Sequence, residues 1–296
     1  MDLLIRHQTT YRYADGAGRV AMRLKLVPGD TPAQTVRDWR VSVNDVPVTQ
    51  FTTSGYGEPE AIWMAHDRLD EAVIVAEGFI ETHETYGVLG QLRSRLHPHV
   101  FLRETPLTAS SDAIRAMAWA TSPDGGPIAR LHALSAAISE AVPYLSGVTT
   151  ADTSAAQAFA LGAGVCQDHA QIFIAACRAL GIPARYVSGY LLAEGDDALH
   201  ETHGWAEALV PDLGWVGFDP SNRVSVTERY VRLTCGLDAN DAAPIRGSVM
   251  LAGDIRIDAD VRIAQAGPQV EARQSQRQQQ QLQQQQQSGP PPSSIG

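Results

Sequence analysis

Apolar and polar residues alternate along the first hundred positions of the chain, which is the period of strands with one buried face. Leu3, Ile5, His7, Thr9, Tyr11 and Tyr13 share one face. Val20, Met22, Leu24 and Leu26 repeat the period up to Pro28-Gly29-Asp30, and Trp39, Val41 and Val43 do so again before Asn44-Asp45. Residues 61–65 and 72–82 add further strands. Several short strands separated by turn residues predict a β-sandwich-like domain over residues 1–105.

Near Pro106 the period lengthens. Residues 111–120 read as a helix, and Ile128, Leu131, Leu134, Ile138 and Val142 then recur at steps of three or four until Pro143. A short helix starts behind Asp152 or Thr153 and ends at Gly162. A longer one, over residues 167–180, carries Ile172, Phe173, Ala176, Cys177 and Leu180 as its apolar face and stops at Gly181-Ile182-Pro183. Strands return at 186–193, 205–210, 215–218 and 230–234, and Ile255, Ile257, Ala259, Val261 and Ile263 alternate as a last strand. The fold class is therefore α+β, with an α+β core over residues 106–268 behind the N-terminal domain. The glutamine- and proline-rich residues 269–296 hold too few apolar side chains to offset chain entropy and are expected to be a disordered tail.

Composition narrows the partners. With 23 basic and 33 acidic side chains the net charge is −10, which disfavours nucleic acid and anionic membrane surfaces. No segment approaches the roughly 18 apolar residues of a membrane span. The opening MDLLIRHQTTYRY lacks the basic start and apolar run of a signal peptide. The cysteines, Cys166, Cys177 and Cys235, are odd in number. The first two are separated by about 16 Å of helix and cannot pair. A cytoplasmic location is expected.

Cys166 is the centre of the chemistry. It follows the glycine-bearing segment GAGV, read as a tight hairpin, and heads the helix at 167–180, where unpaired amides and the positive helix end favour thiolate over thiol. A nucleophilic thiol needs a base or cation beside it, and an imidazole needs an acceptor to orient it. His203 in ETHGWAEALV and Asp219 in GWVGFDPSN supply those chemistries in the order Cys, His, Asp. The Cys166 amide is then available to a developing oxyanion. Near this set, Gln167, His169, Tyr186 and Trp205 are possible cleft or modulating residues. His169, one turn from Cys166, could compete as base. A metal site is not expected. Cys166 with His169 and His200 with His203 form short-spaced pairs, but Cys177 lies too far along its helix to complete a ligand set.

The segments GVCQDHAQIFIAACRALGIPARYVSGYL, THGWAEALVPDLGWVGFDPSN and GLDANDAAPIRG resemble the bacterial transglutaminase-like superfamily, whose core is papain-like. The opening LLIRHQTTYRYADGAGRVAMRLKLVPGD resembles the β-rich domain that precedes that core in many bacterial members. The resemblance spans roughly residues 1–265. It implies a nucleophile at Cys166, a general base at His203, an orienting carboxylate at Asp219, and no cofactor. The chain departs from the pattern at His169, where an apolar or aromatic residue is usual, and at Gly204, where alanine is usual. The implied activity is amide or peptide hydrolysis through a thioester, with a peptide or protein amide as substrate. Acyl transfer from glutamine to amines, or a non-catalytic scaffold on the same fold, are the alternatives. Neither substrate identity nor oligomeric state is legible.

Overall fold

The alternating face of the first strand, β1 (Asp2–Ala17), is buried at Leu3, Ile5, His7, Thr9 and Tyr13, as its period predicts. Strands β2 (Arg19–Leu24), β3 (Gln34–Val43), β4 (Val46–Pro47), β5 (Thr52–Thr53), β6 (Pro59–Ala65), β7 (Leu69–Thr82) and β8 (Val88–Gly90) follow. After a 3-10 helix at Pro98–Leu102, four α-helices come next among the described residues: α1 (Asp112–Ala120), α2 (Gly126–Ala141), α3 (Ala155–Leu161) and α4 (Cys166–Ala179). The chain returns to strands with β9 (Ala184–Leu191), β10 (Thr202–Val210), β11 (Gly214–Asp219), β12 (Val224–Ser225), β13 (Tyr230–Gly236), β14 (Ile245–Met250) and β15 (Ile255–Gln265). This is a computed structural model that describes residues 1–92, 94–122, 124–192, 202–250 and 253–266. The predicted tail, His200 and the predicted strand end at residue 193 lie outside the described residues.

Three sheets organise the α+β fold. Two of them, ordered β15-β1-β7-β3-β4 and β14-β2-β6-β5, share one core in which Leu3, Ile5, Ile74 and Ile80 meet Val20, Met22, Leu24 and Ala61. The third, β12-β11-β10-β9-β13 with β8 added at β11, carries the helices. Residues 245–265 read in sequence as the end of the 106–268 unit. The two strands within them pair instead with the start of the chain, β14 along β2 and β15 along β1 from Leu3↔Gln265 to Tyr13↔Ile255. Alternation predicts that a strand forms; its partner is decided by which sheet edges are open, and those of β1 and β2 are distant in sequence.

Helix ends follow local chemistry. The Ser111 hydroxyl accepts from the Ile114 amide, and Ser154, one residue beyond the expected start of α3, closes a capping box with Gln157. Gly162, at φ 68°, ends α3 in the left-handed conformation. The predicted one-sided face of α4 is an underestimate, because every residue from Asp168 to Arg178 is buried. Helices α1, α2 and α3 cover one side of α4, and β9, β10 and β11 cover the other. A helix buried on all sides cannot be read from amphipathic period alone.

The N-terminal sheets are fixed to the third sheet by buried polar contacts as well as by Tyr190, Val231 and Leu233, which enter their core. His7 Nδ1 lies 3.0 Å from the Tyr190 hydroxyl. Arg232 donates from Nη1 to Glu58 Oε1 at 2.6 Å and from Nε to Glu207 Oε1 at 2.9 Å, while Arg185 Nε donates to Glu207 Oε2 at 2.6 Å. Glu58 also accepts from the Thr234 hydroxyl and the Cys235 amide. Removing one member of such a cluster strands its buried partners. Arg232→Met is therefore expected to lower the unfolding free energy in urea titration by roughly 3–5 kcal/mol; a loss below about 1 kcal/mol would contradict this role for the cluster.

Candidate active site

Cys166 is the first residue of α4, half-buried, whereas Cys177 and Cys235 are fully buried. The segment before it is no hairpin. Gly164 runs parallel to Tyr144, with the Leu145 amide donating to Gly164 O at 2.8 Å and the Gly164 amide to Pro143 O at 3.3 Å. Gly164 is needed because a side chain there would meet Asp168 Oδ2 at 2.8 Å. That same Asp168 oxygen accepts from the Val165 amide at 2.8 Å and from the Thr149 hydroxyl at 2.7 Å. Asp168 thus caps the helix and holds the entry to Cys166 in place. The Cys166 amide, in the first turn, has no partner further back in the helix.

The other two members of the predicted set arrive on neighbouring strands. Antiparallel pairing of β10 with β11, through Ala206↔Phe218 and Val210↔Gly214, brings the start of β10 and the end of β11 to one edge. His203 Nε2 lies 2.7 Å from Asp219 Oδ2 there, which leaves Nδ1 for the thiol side. Burial opposes a charge on this ring. Hydrogen bonding to Asp219 and Cys166, together with their negative charge, outweighs burial and raises the His203 pKa to about 10. Burial would likewise raise the Asp219 carboxyl, but bonds from His203, Ser221 and Asn222 hold it down at about 2.

Three of the residues around Asp219, namely Ser221, Asn222 and Tyr230, were not singled out from sequence. Asp219 Oδ1 accepts from the Ser221 hydroxyl and from the Ser221 amide at 3.0 Å, and Oδ2 accepts from Asn222 Nδ2 at 2.7 Å and the Tyr230 hydroxyl at 2.8 Å. The Ser-Asn pair just past Asp219-Pro220 is a readable signal for an aspartate-centred turn. Tyr230 carries no local signal; it reaches Asp219 from β13 and packs on Trp205, ring centroids 5.5 Å apart.

The possible cleft residues are distributed differently from the sequence reading. Trp205 is 1% exposed and Tyr186 4%, so both are buried beneath the site. Trp205 stacks under His203 at 6.3 Å. Gly204 has a clear purpose: a side chain there would sit 1.9 Å from the Tyr186 hydroxyl. Gln167 donates through Nε2 to Ala151 O at 3.1 Å. His169 does not face His203 as a rival base. Its Nδ1 lies 2.8 Å from Val165 O and its Nε2 2.6 Å from Val142 O, tying the end of α2 to the start of α4. Among the described residues, no group of three or more His, Cys, Asp or Glu side chains is placed to hold a metal ion. Nor is any helix among them long and apolar enough to cross a membrane.

Comparison with known proteins agrees with this fold. The model of the transglutaminase-like superfamily matches residues 115–220, which contain Cys166, His203 and Asp219, and that of the bacterial transglutaminase-like N-terminal region matches residues 3–81. An uncharacterized protein of Mycobacterium tuberculosis is 28% identical over 271 residues, 83% of this chain and 86% of the relative. One from Mycobacterium leprae is 36% identical over 127 residues, 41% of this chain and 45% of its own. The crystal structure of a "Putative Cysteine Protease from Cytophaga hutchinsonii" superposes with a TM-score of 0.71 at 23% identity, covering 90% of this chain and 91% of that one. With both regions matched in order, the chain belongs to the bacterial transglutaminase-like superfamily.

Proposed function

We propose that the protein is a cysteine-dependent hydrolase of peptide or protein amides, working through a thioester on Cys166. The observation that carries this reading is the His203 ring set against Asp219 at 2.7 Å, with Cys166 on its other side at the start of α4. The Cys166 thiolate attacks the amide carbonyl carbon, forming a C–S bond while the carbonyl electron pair moves onto oxygen. The Cys166 amide hydrogen-bonds that oxyanion. Collapse breaks the C–N bond, and the His203 imidazolium gives its proton to the leaving amine. Water then attacks the thioester, His203 takes its proton, the C–S bond breaks, and acid product leaves with the thiolate–imidazolium pair restored. Water needs no second binding site, which favours hydrolysis. An amine in place of water would give transamidation by the same steps. No cofactor enters the scheme, and three free thiols fit a reducing, cytoplasmic setting.

Cys166→Ala is expected to abolish both turnover and the acyl-enzyme mass increment that a peptide and amide library produces on the intact protein. Addition of amines to the trapped thioester then reads out which nucleophile releases it. Iodoacetamide is expected to label Cys166 well ahead of the other two thiols, because burial raises the pKa of Cys177 and pushes that of Cys235 up to about 12. Equal labelling of the three by peptide mapping would count against an activated Cys166.

The pH profile of kcat/KM should keep its alkaline limb near the His203 value of about 10, since the imidazolium persists until pH rises through it. In Asp219→Asn that limb should move down toward the ordinary histidine value of 6.5. The stability that the raised His203 pKa supplies should be complete below 6.5 and lost as pH rises through about 10. An alkaline limb unmoved by Asp219→Asn would exclude the carboxylate as the group that holds the charge.

A further inference from the structure

The chain between α2 and α3 forms a collar around the first turn of α4. Val142 O faces His169 Nε2, the Leu145 amide donates to Gly164 O, and the Thr149 hydroxyl donates to Asp168. Further round, Ala151 O accepts from Gln167 and Thr153 O from Gln171. Five contacts therefore hold this segment against the residues on either side of Cys166. The collar nevertheless exposes apolar side chains. Tyr144 is 57% exposed, Leu145 51% and Val148 40%. In a protein of net charge −10, residues 141–151 carry no charged side chain.

The two sides of Cys166 differ. Helix α4 has the β9–β11 sheet on one flank, with His203 at its edge, and the α1–α3 helices on the other, where the collar runs. The amine leaving a scissile amide must face His203 to receive its proton, so the acyl portion extends the opposite way. The collar is bonded to Gln167 and Asp168, the two residues that follow Cys166.

We propose that Tyr144, Leu145 and Val148 form the subsite for the side chain of the residue whose carbonyl is attacked, and that this residue is apolar or aromatic. An uncharged, apolar rim gains from covering such a side chain and offers no partner to a charged one, which would lose hydration there. The proposal rests on the thioester mechanism given above and deepens it by naming the acyl side chain.

The test uses the full chain and peptidyl vinyl sulfones that differ only in the residue beside the warhead: Phe, Leu, Lys or Asp. The Cys166 thiolate adds to the vinyl carbon β to the sulfone, the one bonded to the peptidyl α-carbon, and the carbanion left beside the sulfone takes a proton from His203, so each probe reports recognition without turnover. Alkylation is followed by intact mass, and each rate is divided by the same variant's rate with iodoacetamide. Phe and Leu probes are expected to react at least about tenfold faster than Asp and Lys probes, a ratio typical of an apolar subsite. A Leu145→Glu/Val148→Glu variant should lose that preference, and Leu145→Ala should weaken it. Equal rates across the probes, or a preference unchanged in the double variant, would overturn the subsite and leave the hydrolase reading intact. Failure of every peptidyl probe alongside brisk iodoacetamide labelling of Cys166 would overturn both.

Discussion

Everything at the candidate site depends on α4 being buried from Asp168 to Arg178 while Cys166 at its start stays accessible. Residues 168–178 are enclosed between α1–α3 and the β9–β11 sheet, so the helix has no freedom to slide or roll without breaking close packing. Cys166 inherits that rigidity and faces His203 on the sheet edge. The far end is pinned as firmly. Buried Arg178 donates to the carbonyls of Phe101, Ala184 and Leu237 and to the Thr108 hydroxyl. A half-buried thiol on an immobile helix is the kind of placement that reactive geometry requires.

Charge is managed beside that helix by an unusually well-served carboxylate. Asp219 is buried, yet donors from His203, Ser221, Asn222 and Tyr230 surround it. Those bonds keep it ionised, and an ionised Asp219 keeps the His203 ring charged despite its burial. The direction of influence runs from loop and strand chemistry at 221–230 through the carboxylate to the imidazole and then to sulfur. Tyr230 and Trp205 also wall the ring, which restricts its rotation away from the acceptor.

Elements with a strong period were legible in the sequence. The buried face of β1, the end of α3 at Gly162, and the order Cys166, His203, Asp219 follow from alternation, capping chemistry and local motifs. What escaped depends on contacts between distant segments. Nothing near Ile255 signals that β15 lies along β1, and nothing near Tyr230 signals its bond to Asp219. His169 shows the same limit within one helical turn: spacing put it near Cys166, but the carbonyls of Val142 and Val165 took its ring nitrogens. Gly204 departs from the family pattern for a packing reason visible only in three dimensions, the Tyr186 hydroxyl that occupies the place of its side chain.

The protonation of His203 is the most direct measure of whether Asp219 and Cys166 act on it together. Long-range proton–nitrogen NMR of the His203 ring in the intact protein at pH 8 reads both nitrogens at once. With the pKa raised to about 10, both nitrogens should be protonated at that pH, giving an imidazolium signature. A neutral ring at pH 8, with one nitrogen bare, would contradict the thiolate–imidazolium pair on which the proposed chemistry depends.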